Sequence, residues 1–105
     1  MMLAAAQGDA DQARALLDAL LADYGEEADW PGFHAMIGDR ENANRTAAGI
    51  DAEPLGFLML ADLASNCSCG APFDLEATPN FARLVEEADL MWPPRSPVEW
   101  PLKGW

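Results

Sequence analysis

Basic residues are scarce in this chain. Its 105 residues hold five Arg and one Lys against ten Asp and eight Glu, a formal net charge of −12. So few cations argue against a direct grip on nucleic acid, which needs Lys and Arg to neutralise phosphates. They argue equally against docking on an anionic membrane surface. Long apolar runs are also missing. The longest, Leu55 to Ala61, has seven residues, far short of the ~20 needed to span a bilayer. The start, MMLAAAQGDADQ, lacks the basic n-region of a secretory signal. A cytoplasmic protein is therefore expected. There are only two Cys and one His, and no glycine-rich phosphate loop. Without export, the two Cys are expected to be thiols and not a structural disulfide.

What the chain does have is apolar content. Half of its residues are hydrophobic, too many for a disordered acidic tail. One domain is the natural count at this length. Ala13, Leu16, Leu17, Leu20, Leu21 and Tyr24 recur on a 3.6-residue period, which predicts a helix. Asp9 is placed to cap it, Gln12 stands three residues on, and Gly25 ends it. Asp11 and Asp18 fall on the opposite face. Met2 to Gln7 adds a turn before Gly8. The stretch Leu3 to Ala19 (AAAQGD…ARALLDA) resembles one ankyrin helix-turn-helix, but a repeat fold needs about three units and no second copy follows.

A second helix is expected after Asp29 as cap, with Pro31 in the first turn and Trp30, Phe33 and Ile37 on one face. Residues 38–53 are polar and lack a clear period, so they read as a weak continuation or a long surface loop. A third helix is expected from Pro54 at its first position. Leu55, Phe57, Leu58, Met59, Leu60 and Leu63 make it apolar nearly all round, as in a central, buried helix. The fourth starts at Thr78-Pro79 and carries Phe81, Leu84, Val85 and Ala88. The fold class expected is all-α: a small bundle of about four helices over residues 1–91. The core is expected to hold Leu16, Leu17, Leu20, Leu21, Phe33, Leu55, Leu58, Met59, Leu63, Phe81, Leu84 and Val85. Residues 92–105 hold four prolines and three of the four tryptophans. They predict an extended C-terminal arm, packed on the domain or binding a partner.

The sharpest local feature is Cys67-Ser68-Cys69. Two thiols one residue apart can chelate zinc or another soft metal, or act in redox chemistry. A structural zinc site, however, commonly needs four ligands. The motif is similar to the Cys-Ser-Cys of the nitrile hydratase metal claw. That claw needs a further Cys upstream, where this chain has Leu63-Ala64-Ser65-Asn66. His34 is a candidate general base, but no nucleophile motif accompanies it. Adjacent carboxylates such as Glu26-Glu27 and Glu86-Glu87 diverge by ~100° on a helix and do not form a catalytic pair.

The charge is spread evenly. Residues 1–52 carry ten acids and three bases, residues 53–105 eight and three, with no acidic block of five. This is the surface of a folded domain. It can serve solubility, attract a protein with a basic face, or present carboxylates as DNA presents phosphates. In size and charge the chain is similar to small, acidic phage-encoded inhibitors of host defence. The expected function is a non-enzymatic interaction module without a cofactor, an inhibitor or regulator of a basic, nucleic-acid-binding protein. Asp11, Asp18, Glu26, Glu27, Glu86 and Glu87 are its expected contact residues. Trp100 and Trp105 are expected to anchor the partner, as Trp does at interface hot spots. The alternative is a metal- or thiol-dependent role at Cys67 and Cys69.

Overall fold

Four of the described helices in this protein start where the chain offers a proline or a carboxylate acceptor. The computed structural model describes residues 1–96 and 99–105; Pro97 and Val98 of the expected arm lie outside the described residues. Among the described residues there are six α-helices and no strand. They are α1 (Met2–Ala6), α2 (Ala10–Tyr24), α3 (Pro31–Met36), α4 (Arg40–Asp51), α5 (Gly56–Asn66) and α6 (Pro79–Glu87). Two 3-10 turns, Gly25–Ala28 and Leu75–Ala77, follow α2 and precede α6. The all-α class expected from periodicity is what the chain forms.

Asp9 caps α2 as its position suggests, accepting from the Gln12 N–H at 3.2 Å. Asp29 does not cap α3. The N-cap is Trp30, held extended by the proline that follows it, and Asp29 points to other partners. The segment 38–53 is not a loop. Asp39 accepts from the Asn42 N–H at 3.1 Å and opens the twelve-residue α4. Its inward face is made of Ala43, Thr46, Ala47 and Asp51. These residues keep the helical period but are too small or too polar to signal it. Thr46 closes its hydroxyl on the Asn42 and Ala43 carbonyls.

The third expected helix begins two residues later than Pro54, at Gly56. A Cβ on Gly56 would lie 1.7 Å from the Ile50 carbonyl oxygen, so only glycine lets α4 and α5 meet this closely. α5 is not a central buried helix. It packs on α4 and α6, burying Gly56, Leu60 and Ala64, and leaves Leu55, Leu58 and Met59 exposed.

Two apolar clusters share α4. The first joins Ala4, Ala5, Ala13, Ala35, Met36, Ala43 and Cys69. The second joins Ala47, Leu60, Ala64, Phe73, Phe81 and Val85. The second is fastened by Phe73, Phe81 and Trp92, whose ring centroids lie 5.3–5.5 Å apart. The first is built mostly of alanines, which bury little area each. Trp100, Leu102 and Trp105 of the folded-back arm cover it and supply the large aromatic area it lacks. Of the expected core, Leu17, Phe81 and Val85 are buried, Leu20, Leu21, Phe33, Leu63 and Leu84 are half-buried, and Leu16 is exposed with the α5 residues. Small side chains and Phe73 take the places that periodicity assigns to leucines.

No described helix is long and apolar enough to cross a membrane.

Candidate functional site

Three of the six basic side chains, themselves 41–56% exposed, are paired with half-buried carboxylates. Arg45 holds Asp29 with both terminal nitrogens, at 3.1–3.2 Å. Arg40 holds Asp74 in a bidentate pair at 2.7 Å. Arg14 donates to Asp39. Each carboxylate has further donors. Asn42 Nδ2 reaches Asp39 at 2.7 Å. Asn44 Nδ2 donates to Asp74 at 2.8 Å, and Asn44 Oδ1 accepts the Asp74 N–H in return. Burial alone would raise the Asp29 and Asp39 pKa values. Hydrogen bonds from Arg45 and His34 to Asp29, and from Asn42 and Arg14 to Asp39, win and hold both below the ordinary range. The Arg40 bond holds Asp74 low as well, against a smaller effect of burial.

His34 is 1% exposed. Its Nε2 lies 2.6 Å from Asp29 Oδ1, so Nε2 carries a proton and donates it. Nδ1 is buried with no partner among the described residues. His34 is thus tied to Asp29, whose remaining bonds come from Arg45, and the pair is walled off from solvent on the His34 side.

With those cations paired to Asp29, Asp39 and Asp74, the remaining surface acids have few bases among them. Residues 9–27 carry six acids and one base, and that base is Arg14, turned toward Asp39 and only 3.8 Å from Asp18 on its other side. Asp11, Asp18, Glu26 and Glu27 are all exposed and follow one another along α2 and the 3-10 turn. Leu16, 37% exposed, and Tyr24, 60% exposed, lie on the same stretch. Glu86 and Glu87 are exposed on α6, which packs against α5, α4 and the Leu75–Ala77 turn and is not a neighbour of α2 in the main packing contacts. The six expected acidic contacts therefore divide into two surfaces.

Trp100 and Trp105 are half-buried. Trp100 Nε1 donates to the Ser68 carbonyl at 3.1 Å, and Ser96 Oγ donates to the same oxygen. The Trp105 ring lies between the Arg40 guanidinium, 5.4 Å from its centroid, and the Lys103 ammonium, 4.7 Å away. Burial, with repulsion from Arg40, lowers the Lys103 pKa. Gly38, at φ +84°, lets the arm through: a Cβ there would lie 2.3 Å from the Leu102 carbonyl oxygen.

Cys67 and Cys69 are not free thiols; they are joined in a disulfide. A disulfide sulfur has no thiolate to offer, so a soft metal could be held only after reduction. Among the described residues, no three His, Cys, Asp or Glu side chains are grouped to hold a metal ion. Cys69 is 3% exposed and belongs to the alanine cluster. Cys67 is half-buried and borders two openings. One is an apolar pocket of about 370 Å³ lined by Trp30, Phe33, Met36, Leu63 and Pro72, among others. The other is a cleft of about 520 Å³ that includes Arg95.

The His34–Asp29–Arg45 and Asn44–Asp74–Arg40 groups were not legible in sequence. The second joins residues some thirty positions apart, which no spacing rule connects.

No family model matches this chain, and no curated protein or solved structure is detectably similar to it. No residue roles can be carried over from elsewhere.

Proposed function

We propose that this protein is a non-enzymatic interaction module that inhibits or regulates a basic, nucleic-acid-binding protein. The observation that supports this is the arrangement of its charges. Three arginines are bonded to half-buried carboxylates, and the α2 edge is left with Asp11, Asp18, Glu26 and Glu27 facing water. Leu16 and Tyr24 are exposed as well, but on the opposite face of α2 from Asp11 and Asp18. The matching occupant is an amphipathic helix of the partner whose polar face carries Lys and Arg. Glu86 and Glu87 form a second, smaller acidic contact. Trp100 and Trp105 line a cleft of about 260 Å³ with Glu99 and Lys103, a place for an apolar side chain of the partner. The proposal includes a cytoplasmic setting; it also includes no membrane docking and no direct binding of nucleic acid, which follow from the charge of −12.

The test uses a labelled, cationic, amphipathic helical peptide as probe. Its affinity should fall at least about tenfold between roughly 0.05 and 0.5 M salt, because exposed charges are screened over that range. Binding that ignores salt contradicts the proposal.

A second reading, the metal- or thiol-dependent role, is favoured by a separate observation: the half-buried Cys67 borders an apolar pocket. The lack of a third ligand among the described residues favours its thiol form over zinc or another soft metal.

A further inference from the structure

We infer that Cys67 and Cys69 form a dithiol–disulfide exchange centre whose substrate is a disulfide carried on an apolar body, such as the cystine of an apolar peptide. This goes beyond the acidic contact surface and does not depend on it.

Four observations meet at this loop. The two residues differ in access: Cys69 is 3% exposed and lines only the small cleft beside Trp100 and Lys103, while Cys67 is half-buried and borders both the apolar pocket and the larger cleft. The Cys69 backbone N–H donates to Cys67 Sγ at 3.3 Å, a donor that stabilises negative charge on that sulfur. Arg95 is the charged side chain among the lining residues of the cleft that Cys67 borders. Gly32 lies over the sulfur without a side chain; a Cβ there would be 3.4 Å from Cys67 Sγ. The pocket supplies the apolar selectivity through Trp30, Phe33, Met36, Leu63 and Pro72.

The roles divide accordingly. In the reduced pair, the Cys67 thiolate attacks one sulfur of the substrate disulfide. A Cys67–substrate mixed disulfide forms, and the other half of the substrate leaves as a thiolate and takes up a proton. Cys69, the less exposed thiol, then loses its proton to water and attacks Cys67 Sγ. The Cys67–Cys69 bond forms, and the second half of the substrate leaves as a thiol. Two electrons pass from the dithiol to the substrate disulfide. The bonded pair in this structure is the oxidised end of that sequence, and two equivalents of a small-molecule thiol return it to the dithiol. In a cytoplasmic setting a disulfide of this kind is transient, not structural.

The test takes the reduced, full-length protein and follows single turnover with three disulfides: a Leu/Phe-flanked cystine peptide, a small apolar disulfide, and oxidised glutathione. Acid quenching and mass spectrometry locate any adduct. The expected result is a mixed disulfide on Cys67, conversion to the Cys67–Cys69 bond, and rates for the apolar substrates at least about tenfold above that for glutathione. Faster reaction of the peptide than of the small disulfide identifies a polypeptide substrate; the reverse identifies a small molecule. Cys69→Ser should stall at the mixed disulfide, and Cys67→Ser should react at least about tenfold more slowly than Cys69→Ser. An adduct on Cys69, equal rates for the two variants, or no preference for the apolar substrates would overturn the inference. The adduct position in the unmutated protein gives an answer even where a variant fails to fold.

Discussion

Aspartate illustrates how one residue type takes on different duties here. Asp9 and Asp39 cap their own helices. Asp29, Asp39 and Asp74 hold arginines, and Asp11 and Asp18 face solvent. The sequence showed the Asp9 cap, because it opens a strongly periodic helix, but not the Asp39 cap, because residues 38–53 lack a clear apolar period. It misassigned Asp29, because that side chain's partners, His34 and Arg45, lie five residues on in α3 and sixteen residues on in α4. The three paired carboxylates have lowered pKa values in the folded state. Their contribution to stability is therefore full above the unfolded value of ~3.9 and is lost as pH falls through the lower folded values. Relief of repulsion among the surplus acids works in the opposite direction over the same range. A comparison of variants separates the two. Asp74→Asn should be clearly less stable than the wild type at about pH 6, and the gap should close near pH 2–3, as urea denaturation at each pH will show. A gap that persists unchanged at low pH would mean that the Arg40–Asp74 pair is not the source.

At the scale of elements, the strongly periodic helices α2 and α6 could be read directly, and α5 could be read in kind but not in placement. α4 was missed because its buried stripe is alanine, threonine and aspartate. Hydrophobicity registers such a face as polar, yet small residues are what allow α3, α5 and α6 to pack on it. The last residue of that stripe also serves another element. Asp51, 3% exposed, accepts the Asn80 N–H at 3.0 Å and the Phe81 N–H at 2.8 Å, while its own carbonyl accepts from Asn80 Nδ2 at 3.0 Å. The capping of α6 thus comes from α4. Thr78, at the N-cap position, makes no capping bond. Asp51→Ala should cost about 2–3 kcal/mol, because two backbone donors lose their acceptor in a buried setting. Thr78→Val, which keeps the buried shape, should cost less than about 1 kcal/mol. Denaturant midpoints for the two variants decide it; the opposite order would restore Thr78 as the cap.

For the whole molecule, the charge of −12 and the 50% hydrophobic content are reconciled by two modest clusters instead of one leucine core. The alanine cluster leaves leucines and methionines of α2 and α5 at the surface, and it relies on the arm's tryptophans for cover. Cys67-Ser68-Cys69 stood out in sequence, but the bond between its sulfurs and the docking of the arm on Ser68 depend on tertiary contacts that no local pattern encodes. The acids were legible as a coat. Their separation into an α2 edge and an α6 patch was not, because it depends on which helices are neighbours.

That separation leads to the most direct test of the proposed function. Asp11→Asn, Asp18→Asn, Glu26→Gln and Glu27→Gln combined should weaken binding of the cationic amphipathic peptide at low salt by about tenfold or more, while Glu86→Gln with Glu87→Gln should weaken it by only about two- to threefold. Equal affinities for the α2-edge variant and the wild type, both folded by circular dichroism, would contradict the account.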